Sequence, residues 1–133
     1  MIKFIASYFS HTDGRGSIRG VIQSGKWEEV NMVSSQKGTV RGGHYHKETQ
    51  ELFVILFGKI EVTTQKVEDG QLVGEPAIVI TQTDDVFLVE PFVNHTFNCL
   101  EDSRWMNLLS KRMDKDQMDF YRAGSIKRIA DTC

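Results

Sequence analysis

Five residues at fixed spacing carry most of the chemical information in this sequence of 133 residues. Gly38, His44, His46, Glu51 and Gly58 form the pattern G-x5-H-x-H-x4-E-x6-G. Imidazole and carboxylate groups held close together can transfer protons or bind a divalent metal ion. The pattern therefore predicts a compact site built on two histidines and one glutamate.

The alternation of side chains along a β-strand explains how these groups would meet. Successive side chains point to opposite faces, so His44 and His46 would share a face, about 7 Å apart. Glu51 begins the apolar run 52–57, which we expect to pair antiparallel with the histidine strand across a short turn. Two imidazoles and one carboxylate are then expected to converge.

The spacing resembles the first sequence motif of the cupin superfamily, and every fixed position of that motif is filled. The superfamily's second motif, P-x-G-x-x-H-x3-N, has a weaker counterpart at residues 90–98, in which His95 fills the histidine position. Phe92 stands in place of the glycine, Glu90 replaces a proline, and Asn98 comes one residue early. The resemblance implies an all-β fold, a cupin-type jelly-roll β-barrel or sandwich, with the site inside the barrel.

This resemblance also suggests a cofactor. Three imidazoles and one carboxylate suit a single divalent ion such as zinc, iron, manganese or nickel, and no organic cofactor is expected. The candidate metal ligands are His44, His46, Glu51 and His95.

The residues around the motif are similar to those of sugar-nucleotide cupins. Segments 13–16, 31–34 and 38–45 are similar, in their order along the chain, to the D-x-R-G, N-x-S-x-S and R-G-L-H-Y segments of dTDP-4-dehydrorhamnose 3,5-epimerases. Segment 41–47 matches the R-G-x-H-x-H-K string of dTDP-sugar 3,4-ketoisomerases. The H-x-H-x4-E spacing also resembles the metal-binding cupin domain of capsular polysaccharide reductase-epimerases.

Position 51 separates these subfamilies. The 3,5-epimerases have a lysine near this point and the ketoisomerases a glutamine, whereas this chain has Glu51. The carboxylate favours the metal-binding capsular type, while the Asp-Gly-Arg-Gly segment is closer to the 3,5-epimerases. The subfamily stays open.

The resemblance implies an isomerase that acts beside the ketone of a nucleotide-linked 4-keto-6-deoxy sugar, in the supply of surface polysaccharide. His44 falls on the position of the catalytic base, with His46 as its partner or as a ligand. An imidazole can remove the acidified C3 or C5 proton. Arg41, Lys47 or a metal would stabilise the enolate. Reprotonation from the opposite face would give an epimer, and passage through an enediol would give a 3-keto sugar.

Further residues complete the predicted site. Tyr121 is the candidate for an acid on the opposite face of the sugar, although a docking role is the alternative for this side chain. Arg15 would reach the diphosphate, crossing from a neighbouring subunit as in the epimerases. The candidate substrate-binding residues are Arg15, Arg41, Lys47 and His95.

Two other functions fit the same residues. Three histidines and a carboxylate also form the site of metal-dependent cupin oxygenases. A domain that binds a small ligand without catalysis is the third possibility. The basic residues near the motif favour a diphosphate-bearing substrate, which an oxygenase of a small neutral molecule would not need.

Alternating apolar runs between turn signals predict ten strands that would position the site. They lie near 3–9, 17–22, 28–34, 39–46, 51–57, 59–66, 77–81, 86–90, 95–100 and 104–109.

Other local signals predict features between and after the strands. Gly42-Gly43 predicts a bulge before the histidines, and Asp69-Gly70 predicts a hairpin tip. Segment 111–122 predicts a short C-terminal helix. Ile126 and Ile129 suggest an edge strand or a tail added to a partner in a homodimer.

Composition limits the class of partner. A net charge of −2 with interspersed signs predicts neither a nucleic-acid partner nor an anionic membrane. The longest apolar run is too short to span a membrane, and we expect a cytoplasmic protein. Residues 1–133 are expected to form a single domain, with Cys99 and Cys133 both reduced.

Overall fold

The computed structural model describes residues 1–124, which form antiparallel strands in every sheet. This confirms the all-β prediction, and each strand lies close to a predicted run except the one at residues 9–13, which was not predicted. The strands are β1 (Ile2–Phe4), β2 (Phe9–Asp13), β3 (Gly16–Gly20), β4 (Glu29–Ser35), β5 (Val40–His44), β6 (Glu51–Phe57), β7 (Lys59–Glu68), β8 (Gln71–Gln82), β9 (Val86–Val89), β10 (Val93–Cys99) and β11 (Ser103–Leu109).

Two sheets form the body of the fold. One has the strand order β1-β9-β6-β11-β4, and the other has the order β5-β10-β7-β8. Inward side chains from both sheets form one core, with Phe53, Phe87 and Trp105 from the first and Ile60 and Phe97 from the second. This arrangement is the predicted jelly-roll sandwich, in which side chains from facing sheets fill the interior.

The predicted partner of the histidine strand is wrong. β5 pairs with β10, whereas β6 pairs with β9 and β11 in the opposite sheet. Residues 47–50 carry the chain from one sheet to the other. Consequently Glu51 faces the histidines from the opposite sheet and not from a neighbouring strand of the same sheet.

The predicted bulge at Gly42-Gly43 is confirmed. His44 lies opposite His95 and Gly42 lies opposite Thr96, so Gly43 is the extra residue on β5. Gly42 has a φ of 95°, and a Cβ there would lie 2.6 Å from the His95 carbonyl oxygen. Only glycine fits this position, because the backbone is left-handed and a neighbouring backbone atom occupies the space.

The C-terminal helix predicted at 111–122 is wrong, because residues 1–124 contain no helix. Residues 110–120, here called the strap, have an irregular conformation. Apart from two local bonds to Asp114, their main hydrogen bonds go to other elements. The Met113 amide donates to Glu29, and the Asp119 carboxylate accepts from the amides of Lys47, Glu48 and Thr49. These nonlocal bonds replace the local ladder that a helix requires. Within the described range, no helix could cross a membrane.

β2 and β3 form a separate two-stranded hairpin, which pairs with no other strand of residues 1–124. Phe9 and Ile18 on this hairpin are 49% and 62% exposed. The hairpin predicted at Asp69-Gly70 joins β7 to β8 and is confirmed. The predicted tail at Ile126 and Ile129, and Cys133, lie outside the described residues.

Candidate active site

The structure brings the two histidine motifs together. His44 ends β5, His46 follows two residues later, Glu51 begins β6, and His95 lies in β10. All four side chains are buried, and their ligand atoms lie within 4.8 Å of one another. The His44 ring centroid is 4.5 Å from that of His95 and 5.1 Å from that of His46.

Glu51 divides its two oxygens between different partners. Oε1 is hydrogen-bonded to His46 Nε2 and lies 3.0 Å from His95 Nε2 and 3.8 Å from His44 Nε2. Oε2 accepts a hydrogen bond of 2.6 Å from Asn107 Nδ2. One carboxylate oxygen therefore faces all three imidazoles.

Backbone carbonyls fix the orientation of two rings. His46 Nδ1 donates to the Asp119 carbonyl at 2.5 Å, and His95 Nδ1 donates to the Val93 carbonyl at 3.0 Å. Because a carbonyl can only accept, each Nδ1 must carry a proton, and Nε2 is the ring atom turned toward Glu51.

This arrangement leaves buried polar atoms unsatisfied. His95 Nε2 lies close to Glu51 Oε1 but has no proton to donate in the neutral ring, and it makes no hydrogen bond. His44 Nδ1 also lacks a hydrogen-bond partner. Unpaired buried polar atoms are costly, and a cation among these groups would compensate for the facing lone pairs. The donor set thus fits the divalent ion that the cupin resemblance implies.

The pKa values of His44 and His46 are shifted in opposite directions by their surroundings. Burial, reinforced by the nearby His95, lowers the pKa of His44 to about 4. Burial opposes charge on His46 as well, but the Glu51 carboxylate outweighs it and raises the pKa of His46. Burial acts to raise the pKa of Glu51, but its interactions with His46 and the other imidazoles outweigh burial and lower that pKa. Without a metal, a neutral His44 lies beside a His46–Glu51 ion pair.

A cavity of about 480 Å³ between the sheets leads to these residues. The Phe120 ring covers His44 with a centroid distance of 4.1 Å. Arg41 and Lys115 bring positive charge to the lining, and Glu29 brings negative charge. The other lining residues are Asn31, Val33, Gly42, His44, His46, Glu51, Phe53, His95, Phe97, Trp105, Asn107, Leu109, Met113, Met118 and Phe120.

Of the predicted substrate-binding residues, Arg41 and His95 line the cavity. The Arg41 guanidinium donates through Nε to Ser35 Oγ at 2.6 Å. Lys47 and Arg15 lie outside the lining: Lys47 Nζ is 4.3 Å from the Tyr121 ring centroid, and Arg15 pairs with Asp13 at the tip of the β2–β3 hairpin.

The structure does not bring the Tyr121 ring to the cavity. Tyr121 forms an isolated bridge with Tyr45, and the two rings stack with centroids 5.7 Å apart. Tyr45 lies between His44 and His46 in sequence, so its side chain points to the other face of the strand. Tyr121 is thus on the side of the histidine strand that faces away from the cluster.

Several residues of the site escaped the sequence analysis. Asn107 could have been noticed, because it is the polar residue between Trp105 and Leu109 on the inward face of β11. Asp119 and Phe120 gave no such signal. They reach the histidines only through the nonlocal path of the strap.

Comparisons with known proteins agree with this fold. The model of the polysaccharide biosynthesis C-terminal domain family matches residues 11–119. A search of curated proteins found no match.

Solved structures with the same fold include sugar-nucleotide enzymes. QdtA, a sugar 3,4-ketoisomerase from Thermoanaerobacterium thermosaccharolyticum in complex with TDP, is 21% identical, with a TM-score of 0.70 over 91% of this chain and 87% of that chain. A dTDP-4-dehydrorhamnose 3,5-epimerase from Sulfolobus tokodaii is 20% identical, with a TM-score of 0.71 over 88% of this chain and 79% of that chain.

The capsular polysaccharide assembling protein CapF from Staphylococcus aureus is 21% identical, with a TM-score of 0.64. The match covers 86% of this chain and 33% of CapF. The predicted resemblance to sugar-nucleotide cupins is thus confirmed in fold. Because the family model matches well over half of the sequence, this chain belongs to the polysaccharide biosynthesis C-terminal domain family.

Proposed function

We propose that the protein is an epimerase or ketoisomerase of a nucleotide-linked 4-keto-6-deoxy sugar. The observation that carries the proposal is the convergence of His44, His46, His95 and Glu51 at a cavity large enough for a sugar. QdtA, which shares the fold, has also been solved as a mutant in complex with TDP-4-keto-6-deoxyglucose. The sequence resemblance to both enzyme types supports the same chemistry.

The proposed reaction begins with proton abstraction. The neutral His44 imidazole takes a proton from C3 or C5 of the sugar, and the electron pair moves toward the C4 carbonyl oxygen to give an enolate. Positive charge on the cavity wall, from Arg41 or Lys115, favours the developing oxyanion. Return of a proton to the same carbon from the opposite face gives an epimer. If instead the C3 proton is removed, the C4 oxygen is protonated to give an enediol, and a proton is then added to C4 while the C3 hydroxyl loses its proton, the ketone moves to C3.

His46 is the partner of His44 in this scheme. Its proton-bearing form is stabilised by Glu51, so it can donate a hydrogen bond or a proton within the cluster. Alternatively, the same four side chains, His44, His46, Glu51 and His95, would hold a divalent ion, which would supply positive charge for the enolate oxygen. The role of His44 as the base belongs to the metal-free form.

Deuterium exchange tests the proposal. The protein is incubated with dTDP-4-keto-6-deoxyglucose, or its UDP analogue, in heavy water, and NMR follows C3 and C5. We expect exchange at one or both positions, reduced by at least about 100-fold in His44→Ala because general base catalysis contributes that much or more. The product configuration then distinguishes an epimer from a 3-keto sugar.

The control is Lys66→Ala, since Lys66 is an exposed residue on β7 and lies outside the cavity lining. This variant should exchange at the wild-type rate. Absence of exchange with either nucleotide in the wild-type protein, or full exchange in His44→Ala, would contradict the proposal.

A metal-dependent oxygenase is the second candidate, and the cluster of three histidines and one carboxylate favours it. Metal analysis and oxygen uptake separate the two. An oxygenase would require bound redox-active metal and would lose all activity after chelation. Sugar exchange that persists after chelation would support the isomerase.

A further inference from the structure

We infer that the paired amides of Asn107 and Asn31 position Glu51 and thereby set the metal affinity of the site. This inference rests on the proposed metal-binding role of the cluster. Asn107 lies outside the cupin motifs, and Asn31 belongs to segment 31–34 of the resemblance, which assigned it no role. Both are assigned here from their hydrogen bonds.

The amides form a continuous row across three strands. Asn107 Nδ2 on β11 donates to Glu51 Oε2 on β6 at 2.6 Å. Asn31 Nδ2 on β4 donates to Asn107 Oδ1 at 3.3 Å and to Glu29 Oε2 at 2.9 Å. Asn31 and Asn107 are direct partners in the β4–β11 register, which places the two amides side by side.

The two carboxylates fix the direction of the row. A carboxylate accepts hydrogen bonds, so Asn107 must present its NH₂ group to Glu51 and its oxygen to Asn31. Asn31 must then present its NH₂ group to that oxygen and to Glu29. Each amide holds the next in one orientation, and the Glu29 end is in turn bonded to the Met113 amide of the strap.

This row decides which Glu51 oxygen is available to a cation. With Oε2 held by Asn107, Oε1 is the oxygen that faces the three imidazoles. The carboxylate is therefore oriented before any ion arrives. Hydrogen bonds of this kind to metal ligands typically change affinity by about 10- to 100-fold.

Packing alone does not explain an asparagine at this position. Its neighbours on the inward face of β11, Trp105 and Leu109, are apolar and buried. An apolar residue at position 107 would continue the core without a hydrogen-bonding requirement. Asn107 is 8% exposed, and its amide satisfies a buried carboxylate that an apolar residue would leave unpaired.

Metal titration tests the inference on the full chain after chelation. Calorimetry with Zn²⁺ and with Mn²⁺ should show about 10- to 100-fold weaker binding for Asn107→Leu than for wild type. Asn107→Ser should also weaken binding, and it avoids introducing a larger apolar side chain. Asn31→Leu should give a smaller loss, because it removes only the support of Asn107.

The matched control is Met106→Leu, which changes the neighbouring β11 residue on the opposite face and should leave affinity unchanged. The visible spectrum of bound Co²⁺ provides a second readout. It should shift in Asn107→Leu if the Glu51 carboxylate changes its orientation, whereas a loss of stability alone would not shift it.

Wild-type affinity and an unshifted Co²⁺ spectrum in both Asn107 variants would overturn the inference. Failure of wild type to bind Zn²⁺, Mn²⁺ or Co²⁺ would overturn it together with the metal site. If Asn107→Leu does not fold, Asn107→Ser decides the question. Deuterium exchange on the sugar is measured separately, so the inference and the proposed isomerase activity can fail independently.

Discussion

Two histidines only two positions apart acquire different properties from what their rings touch. His46 has a backbone carbonyl on one nitrogen and Glu51 on the other, which stabilises its charged form. His44 has no partner for Nδ1 and is covered by Phe120, so burial dominates and favours the neutral ring. Sequence spacing places both residues on one face, but these contacts assign their roles.

Cys99 provides a residue-scale test of the core. Burial raises the pKa of its thiol, although the Ser35 hydrogen bond and the nearby Arg41 charge work against this effect. Since the pKa moves above its ordinary value, less thiolate is present at pH 8 than in a free cysteine. In Cys133→Ser, where Cys99 is the single thiol, a disulfide reagent should react at least about 1,000-fold more slowly with the folded protein than with the unfolded chain.

The comparison is made in the same variant with and without guanidinium chloride. The reagent is added at pH 8 in both conditions, and the released thiolate is followed by absorbance. Labelling of the folded protein within tenfold of the unfolded rate would show that β10 opens far more easily than its position in the core indicates.

At the scale of elements, the bulge on β5 fixes where the histidines lie against β10. Gly42→Ala should destabilise the protein by about 2–5 kcal/mol, because it combines backbone strain with a contact to the His95 carbonyl. Chemical denaturation measures this loss. We also expect weaker metal binding, since the contact adjoins a proposed ligand.

Gly38→Ala is the matched control. Gly38 also has a positive φ, of 87°, but an added Cβ would meet no atom within 4 Å. This variant should lose about 1–2 kcal/mol from strain alone. Equal losses for the two variants would mean that the close approach at Gly42 adds nothing to the strain.

The elements also show what the sequence could and could not predict. The positions of all strands except β2, the bulge, and the convergence of His44 with His46 follow from local patterns, because alternation and glycine act within a few residues. The partner of β5 and the path of the strap depend on distant groups. Asp119 illustrates this limit: its carboxylate binds amides at positions 47–49, and no local pattern announces that contact.

For the whole molecule, we predict a homodimer that forms through the β2–β3 hairpin. It belongs to neither main sheet, and its exposed Phe9 and Ile18 are apolar side chains available to a second copy. Arg15 at its tip is 91% exposed, which suits the predicted contact with a partner's substrate. Light scattering after gel filtration should give about twice the chain mass of 15.2 kDa.

Ile18→Glu should shift the protein toward monomer, because a charge in an apolar interface is costly. Ile78→Glu is a matched control: Ile78 is also 62% exposed, but it lies on β8 of the four-stranded sheet. A monomeric wild type, or equal dissociation by both substitutions, would contradict the assignment of the hairpin to the dimer contact.

The antiparallel pairing of β5 with β10 has a consequence for the order of folding. His44, His46 and Glu51 belong to one short stretch of chain, whereas His95 belongs to a distant one and reaches them only when β10 aligns against β5. Closing such a long loop is slow compared with forming a turn. During refolding, capture of an ion by all four side chains would therefore mark the moment at which the nonlocal strand pairing is complete.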